Sequence, residues 1–247
     1  INLKNGNEIF NCPCCKSHGK KYVQPYVLSS LSINKSKYLY KFFHYPLFCE
    51  ECGHIWNKTQ PLKYELENYY KDQLPNIIED YDTEKRINLI ISKINKKNLK
   101  KQNKIHILDY GSNNKLDFHK IIEEKGLNLS MLDVGSTKSY KNNFFDIITC
   151  YFMLEHSLDP ELVFKFFNLK IKPNGLLFVE VPDSTKYHKD FSGLMFEHQQ
   201  HFQPHSLDCL AKRYGFSRVS TSKTNCSRPF GFISIFKKSL SNKNNLQ

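Results

Sequence analysis

One stretch, residues 145–183, limits the fold of this chain more than any other: FDIITCYFMLEHSLDPELVFKFFNLKIKPNGLLFVEVPD reads as strand, helix and strand in unbroken succession. Ile147, Ile148, Cys150, Tyr151 and Phe152 make a nearly continuous apolar run, the mark of a strand buried on both faces of a parallel sheet. Asp159 is suited to cap a helix and Pro160 to its first position, and Leu162, Val163, Phe166, Phe167 and Leu169 recur at helical spacing. Pro173, Asn174 and Gly175 end that helix, and residues 176–181, LLFVEV, form a second buried strand closed by Pro182. Two strands joined in this way commit the chain to an α/β architecture, in which ligands bind beyond the carboxyl ends of the strands. Glu155, His156 and Asp183 follow those ends and are candidates to face one.

A second strand and turn lie upstream. Residues 105–109, IHILD, form a strand, and Gly111 opens a turn into a helix carrying Leu116, Phe118, Ile121 and Ile122 and ending near Gly126. Such a turn lets a cofactor approach the backbone closely, and the helix start favours an anionic group. Asp133 ends the next strand, LNLSMLD, where a carboxylate can accept both hydroxyls of a ribose. Only eleven residues, 134–144, then separate Asp133 from Phe145, fewer than a crossover helix and strand require, so the sheet is expected to lack one βα unit.

The eight cysteines are unevenly spread. Cys12 and Cys15 form one C-x-x-C pair and Cys49 and Cys52 another, each able to present two thiolates from a tight turn to one ion. Two such turns complete a tetrahedral sulfur shell, so a structural zinc with no open position is expected, with Cys14, His18 and His54 as competing ligands and Cys14 the foremost substitute within the first pair. The 33 residues between the pairs call for a small β insertion around residues 22–43. Disulfides, the other use of clustered cysteines, fit poorly with a reducing compartment and with thiols left over.

At 247 residues, with 40% hydrophobic content, 19 Phe and 14 Tyr, the chain can bury a sizeable core. No apolar run reaches the roughly eighteen residues of a membrane helix, and INLKNGNEIF lacks the pattern of a secretion signal, so a cytoplasmic protein is expected. The formal charge of +12 favours an anionic partner. Much of it lies in Lys93, Lys96, Lys97, Lys100, Lys101 and Lys104, a pattern that reads as a solvated helix face, and the cysteine pairs show none of the basic and aromatic interleaving of a nucleic-acid-binding knuckle. Charge alone does not choose among nucleic acid, anionic lipid and a phosphorylated small molecule; no nucleic-acid partner is expected, and a small anionic sugar-type substrate is what the resemblance described below implies.

Residues 184–216 are rich in histidine, with Glu197-His198, His201-Phe202 and Ser206-Leu207 in succession. An imidazole titrates near pH 6.5, and a neighbouring carboxylate can hold its tautomer, so His198 beside Glu197 is a candidate general base, with His156 a second. Ser206 is expected to cap a helix carrying Leu207, Leu210, Ala211 and Tyr214, and two final strands, SRVSTSK and GFISIFKK, to complete the sheet.

Taken in order, FDII, LEH, DP, KPNG and P in residues 145–182 resemble the later half of the class I methyltransferases that use S-adenosylmethionine. YPLFCEECGHIW at 45–56, the turn DYGSNNK at 109–115 and the segment from Glu197 to Leu207 are similar to the zinc-containing sugar C-methyltransferases. The resemblance implies a Rossmann-like α/β methyltransferase domain at 105–247, shortened by one βα crossover. It is preceded by a zinc-binding module at 1–58 and connecting helices at 59–104 whose Tyr69 and Tyr70 approach the active site. It further implies S-adenosylmethionine held by Asp109, Gly111, Ser112, Asn113, Asp133 and Glu155, and catalysis by His198, Glu197 and His156. Lys115 stands where that family has a third glycine. The expected reaction is C- or O-methylation of a sugar or sugar-nucleotide in polysaccharide or glycoconjugate biosynthesis; the competing reading is an inactive methyltransferase-like zinc scaffold.

Overall fold

The computed structural model describes residues 5–29, 41–73, 83–94, 105–111, 116–133, 138–188, 194–195, 197–224 and 230–240. They divide into two compact units that interleave along the chain. The first takes residues up to 80 together with 154–161 and 182–210, the second 81–153, 162–181 and the residues from 211 onward. Along the chain the two units alternate, with five passages from one to the other.

The second unit holds a six-stranded sheet in the order β13-β14-β11-β10-β8-β9. Its strands are β8 (His106–Tyr110), β9 (Asn128–Leu132), β10 (Phe145–Tyr151), β11 (Ile171–Pro182), β13 (Phe216–Lys223) and β14 (Gly231–Lys238). β9, β8, β10 and β11 run parallel, and β13 pairs antiparallel with β14. Numbered as parallel strands, this is the doubly wound order with its outermost third strand removed. Among the described residues β9 is the sheet edge and residues 138–144 contain no strand, in keeping with the short interval after Asp133.

Helices α2 (Thr83–Lys93) and α3 (Leu116–Glu124) place Ile87, Ile90, Phe118 and Ile122 in a buried cluster with Ile107, Ile147 and Phe178. α4 (Pro160–Lys170) contributes Phe164 and Phe167, which pack edge to face with Phe216 and Tyr110. Cover from separate helices explains why β10 reads as a continuous apolar run and does not alternate. Asp159 caps α4 as expected, its carboxylate accepting from the Glu161 amide at 3.0 Å. The helix ends at Lys170, before the Pro-Asn-Gly stop, because Ile171 already pairs with Phe145 and the turn residues form an irregularity inside β11. Gly175 is required there: a Cβ would lie 2.9 Å from the Asp146 carbonyl oxygen.

The first unit is built around a four-stranded sheet, order β12-β6-β5-β2. It comprises β2 (Lys20–Tyr22), β5 (Pro46–Cys49), β6 (Ile55–Asn57) and β12 (Gln200–His201), with the expected insertion present as the hairpin of β3 (Tyr26–Ser29) and β4 (Lys41–His44). β1 (Asn5–Glu8) pairs with β7 (Thr59–Pro61), and α1 (Lys63–Gln73) follows. β12 joins the sheet through Gln200 opposite Trp56 and His201 opposite Ile55, a pairing across roughly 145 residues that no local pattern announces. α5 (Pro204–Arg213) starts two residues before the expected Ser206 cap, because Pro204 suits a first helical position. Ser206 instead exchanges hydrogen bonds with the Gln203 backbone. No helix of the described residues is long and apolar enough to cross a membrane.

Candidate functional site

In the second unit the cofactor candidates lie at the carboxyl ends of β8 and β9. Asp109 is buried and accepts a 2.7 Å hydrogen bond from Thr149 Oγ1 on the neighbouring strand, so its carboxylate braces β8 against β10. Gly111 turns the chain with φ +77°, and a Cβ there would meet the Met153 side chain at 2.3 Å. The glycine thus lets the Met153 side chain approach the turn. Asp133 is exposed at the end of β9; partial burial holds its carboxyl above the ordinary carboxylate value, and Lys138 opposes that shift. Ser112, Asn113 and Lys115 lie outside the described residues, as do residues 134–137 and the Lys-rich run at 95–104.

Sequence reasoning missed Arg86 of α2. It is buried, donates through Nε to Glu180 Oε2 at 2.6 Å, and stacks its guanidinium over the Tyr151 ring at 4.4 Å. The ring hydroxyl of Tyr151 is itself buried, with no hydrogen-bond partner among the described residues. One signal was available, since Arg86 lies four and eight residues before Ile90 and Ile94, on the apolar stripe of its helix.

In the first unit the two cysteine pairs converge. The Cys12 and Cys52 sulfurs are 3.6 Å apart and those of Cys15 and Cys49 3.5 Å apart, and all four lie within 4.8 Å of one another. A tetrahedral zinc with sulfurs at about 2.3 Å sets them roughly 3.8 Å apart, so the donor set fits such an ion. Each pair sits in the same turn. Lys16 N donates to Cys12 O and Gly53 N to Cys49 O, both at 2.9 Å, and each donor residue is left-handed, at φ 67° and 70°. Cys14 is buried but outside the converging group, and its burial pushes the thiol well up; Cys15 completes the set.

The second knuckle leads directly into a buried polar group. Gln203 Nε2 donates to the Cys52 carbonyl at 2.8 Å, and the same amide lies where a Cβ on Gly53 would be. Asn57, at the end of β6, donates through Nδ2 to Gln199 Oε1 at 3.1 Å, lies 3.0 Å from His44 Nδ1, and accepts from the Tyr45 amide at 2.7 Å. The Gln199 amide in turn donates to the Glu155 carbonyl at 2.9 Å. Residues 197–201 are therefore clamped between β6 and the short 3-10 turn Leu154–His156.

That clamp brings together Glu155, His156 and His198. Their ligand atoms lie within 4.8 Å of one another, the His156 and His198 rings meet edge to face with centroids 4.7 Å apart, and His156 Nε2 is 4.0 Å from Glu155 Oε1. Glu155 and His198 are each 1% exposed, whereas the His156 side chain keeps 22% of its surface open. Glu155, which the resemblance assigns to the cofactor, lies beside the two imidazoles. Glu197, for which the sequence offers the role of orienter of His198 or of substrate ligand, accepts from the Tyr69 hydroxyl at 3.3 Å, and burial followed by that carboxylate holds the phenol well above its usual range. The Tyr70 side chain lies outside the described residues. Behind them His201 shares a 3.0 Å hydrogen bond with the Tyr187 hydroxyl, and burial holds its imidazole well below its usual value. Asp183 accepts from the Thr185 amide and hydroxyl, at 3.0 and 2.7 Å, and so caps the turn Ser184–Lys186.

The methyltransferase-domain family model matches residues 82–221. Among solved structures, the 1,6-didemethyltoxoflavin-N1-methyltransferase of Burkholderia thailandensis, solved with 1,6-didemethyltoxoflavin and S-adenosylhomocysteine bound, is similar with TM-score 0.54 at 12% identity, over 79% of this chain and 99% of that one. A SAM-dependent methyltransferase from Archaeoglobus fulgidus gives 0.45 at 16% identity, over 71% and 99% of the two chains. One from Methanosarcina mazei gives 0.43 at 16%, over 62% and 98%. At such identities the likeness is one of fold. No curated protein matches the sequence.

Proposed function

The chain belongs to the methyltransferase-domain family and is an enzyme of that kind, and from this premise we propose that it moves a methyl group from S-adenosylmethionine to an oxygen or carbon of a sugar-type acceptor, with one structural zinc held by Cys12, Cys15, Cys49 and Cys52. The sulfonium donor supplies an already activated methyl group, so the protein's tasks are to hold the two reactants and to help the acceptor lose a proton. Gly111 and Asp133 stand where the donor's backbone-facing and ribose groups are expected, with Asp109 bracing the strand beneath them. The observation that carries the reading of the second task is the buried group of Glu155, His156 and His198. His156 is its accessible imidazole, His198 lies against it, and Glu155 supplies the carboxylate that favours a cationic ring. Tyr69 and Glu197 provide a hydrogen-bonded pair for the hydroxyls of a polar acceptor. The sugar class rests on the resemblance of residues 45–56, 109–115 and 197–207 to the sugar C-methyltransferases.

Calorimetry with S-adenosylhomocysteine tests the donor half, with saturable one-site binding expected; no heat up to millimolar ligand would refute it and return the chain to the scaffold reading. His198→Ala then separates roles, since turnover should vanish while affinity for S-adenosylhomocysteine stays within about twofold. Metal analysis should return one zinc per chain from the purified protein.

A further inference from the structure

We infer that Glu155, His156 and His198 form a binding site for a second divalent transition-metal ion, distinct from the four-cysteine site, and that this ion holds the acceptor oxygen. The inference rests on the reading above, in which this group serves the acceptor's proton, and it names the agent.

Three observations carry it. One carboxylate oxygen and two imidazole nitrogens come within 4.8 Å of one another, His156 Nε2 and Glu155 Oε1 being 4.0 Å apart. Ligands at about 2.0–2.2 Å from an ion stand roughly 3 to 4.4 Å from each other, so the three side chains need to close by only about an ångström. Chemically, two histidines and one carboxylate are the donor set of open metal sites, which leave positions for water or substrate. Burial adds the third argument. Glu155 is 1% exposed and His198 equally so, while the 22% exposure of His156 leaves one side open to an incoming oxygen.

Support beyond the three ligands is in place. The Glu155 backbone carbonyl is fixed by the Gln199 amide, adjacent to His198, so the turn and the segment that supply the ligands are tied to each other. The ion takes over the proton-lowering role that the imidazoles have without it: with it bound, both rings are neutral ligands and the acceptor hydroxyl is acidified by the metal. The acceptor hydroxyl binds the ion, its proton passes to water, and its oxygen lone pair attacks the methyl carbon. The carbon–sulfur bond breaks with its electrons going to sulfur, giving a neutral thioether and a methyl ether with no change of redox state. Acceptors with two neighbouring oxygens, able to chelate the ion, are the favoured class.

The test adds cobalt(II) to the zinc-loaded protein, in which thiolates hold zinc more tightly than cobalt. One further equivalent should bind, with d–d absorption of nitrogen and oxygen ligation and no thiolate charge-transfer band. Glu155→Gln, His156→Ala and His198→Ala should each weaken that equivalent by at least about tenfold while leaving the zinc content at one and the emission of Trp56 unchanged. Absence of a second equivalent overturns the proposal. So does a second equivalent that persists unaltered in Glu155→Gln and His156→Ala, which would mark it as surface histidine binding. Calorimetry with S-adenosylhomocysteine on the same samples reads the methyltransferase reading separately: donor binding with a single metal per chain sinks this inference alone.

Discussion

The interior of the sheet unit is made of Ile107, Leu108, Ile147, Ile148, Phe178, Val179, Phe164 and Phe167, interrupted mainly by the Arg86–Glu180 pair. The knuckle unit buries His44, His54, Asn57, Gln60, Glu155, His198, Gln199, Gln200 and His201 around its thiols, with Trp56 and Phe202 as its large apolar anchors. Area removed from water stabilises the first, and small changes of shape there are absorbed gradually. Directional bonds between segments far apart in sequence stabilise the second, and losing one partner there leaves another buried group unsatisfied. Loss should therefore be graded in one unit and abrupt in the other.

Trp56 makes this testable because it is the only tryptophan and lies fully buried in β6, donating to the Ile9 carbonyl at 3.0 Å. Its emission reports the knuckle unit alone, while amide exchange of β8 and β10 reports the sheet unit. The largest effect is expected from Cys52→Ala, which opens the four-sulfur shell and frees the carbonyl that Gln203 holds. Metal binding supplies folding free energy in such modules, about 10 kcal/mol or more in isolated zinc fingers, so the knuckle unit should unfold at room temperature. Trp56 emission would shift to that of a solvated indole with β10 exchange unchanged. Loss of protection in both units together would break the comparison.

Next in size is Arg86→Ala. It leaves the Glu180 carboxylate buried without its guanidinium, a loss of roughly 3–5 kcal/mol, read as faster exchange in β10 and β11 with Trp56 unmoved. Combining Arg86→Met with Glu180→Leu should recover most of it, since an apolar pair suits that interior. Failure to recover would show that the ion pair has a further role at the strand ends. Asn57→Ala comes third, at about 2–3 kcal/mol on the Trp56 transition, because it strips partners from His44, Gln199 and the Tyr45 amide at once. Asn57→Asp should restore the bond from the Tyr45 amide but not the one to Gln199, and so recover only part.

The same contrast decides how much was legible in the sequence. The strands at 106–110, 128–132 and 145–151 and the helix from Pro160 announce themselves through periodicity and capping, because local sequence and burial on both faces act together. The cysteine spacing announces a closed sulfur shell, and choosing Cys15 over Cys14 needs only the repeat of the C-x-x-C turn. What stayed hidden is the choice of partners. Glu155 and Glu197 are both next to a histidine in sequence, and only the pairing of β12 with β6 sends one carboxylate to the imidazoles and the other to Tyr69. Gly111 is legible as the residue that opens a turn, but its neighbour, Met153, arrives from a different strand end.

The smallest effect concerns Asp133, at the edge of the sheet unit, in its proposed role toward the donor's ribose. Its folded carboxyl titrates above the ordinary aspartate value near about 3.9, because partial burial disfavours the charge more than Lys138 favours it. A raised folded value means that the group's contribution to stability is present below the unfolded pKa and lost as pH rises through the folded one, so at neutral pH the ionised carboxylate is slightly unfavourable. Asp133→Asn should leave the sheet unit as stable as before or stabler by a few tenths of a kcal/mol. Donor binding should respond in the opposite direction, because accepting two ribose hydroxyls requires the anion. Affinity for S-adenosylhomocysteine should fall severalfold in Asp133→Asn at pH 7. In the unmodified protein it should begin to decline on acidification at a pH above that of an ordinary aspartate, a slope the variant lacks. Calorimetry across that range, with Trp56 emission confirming that the knuckle unit stays folded, decides it: equal affinity in both proteins would mean that the ribose is held elsewhere and that this strand end is only surface.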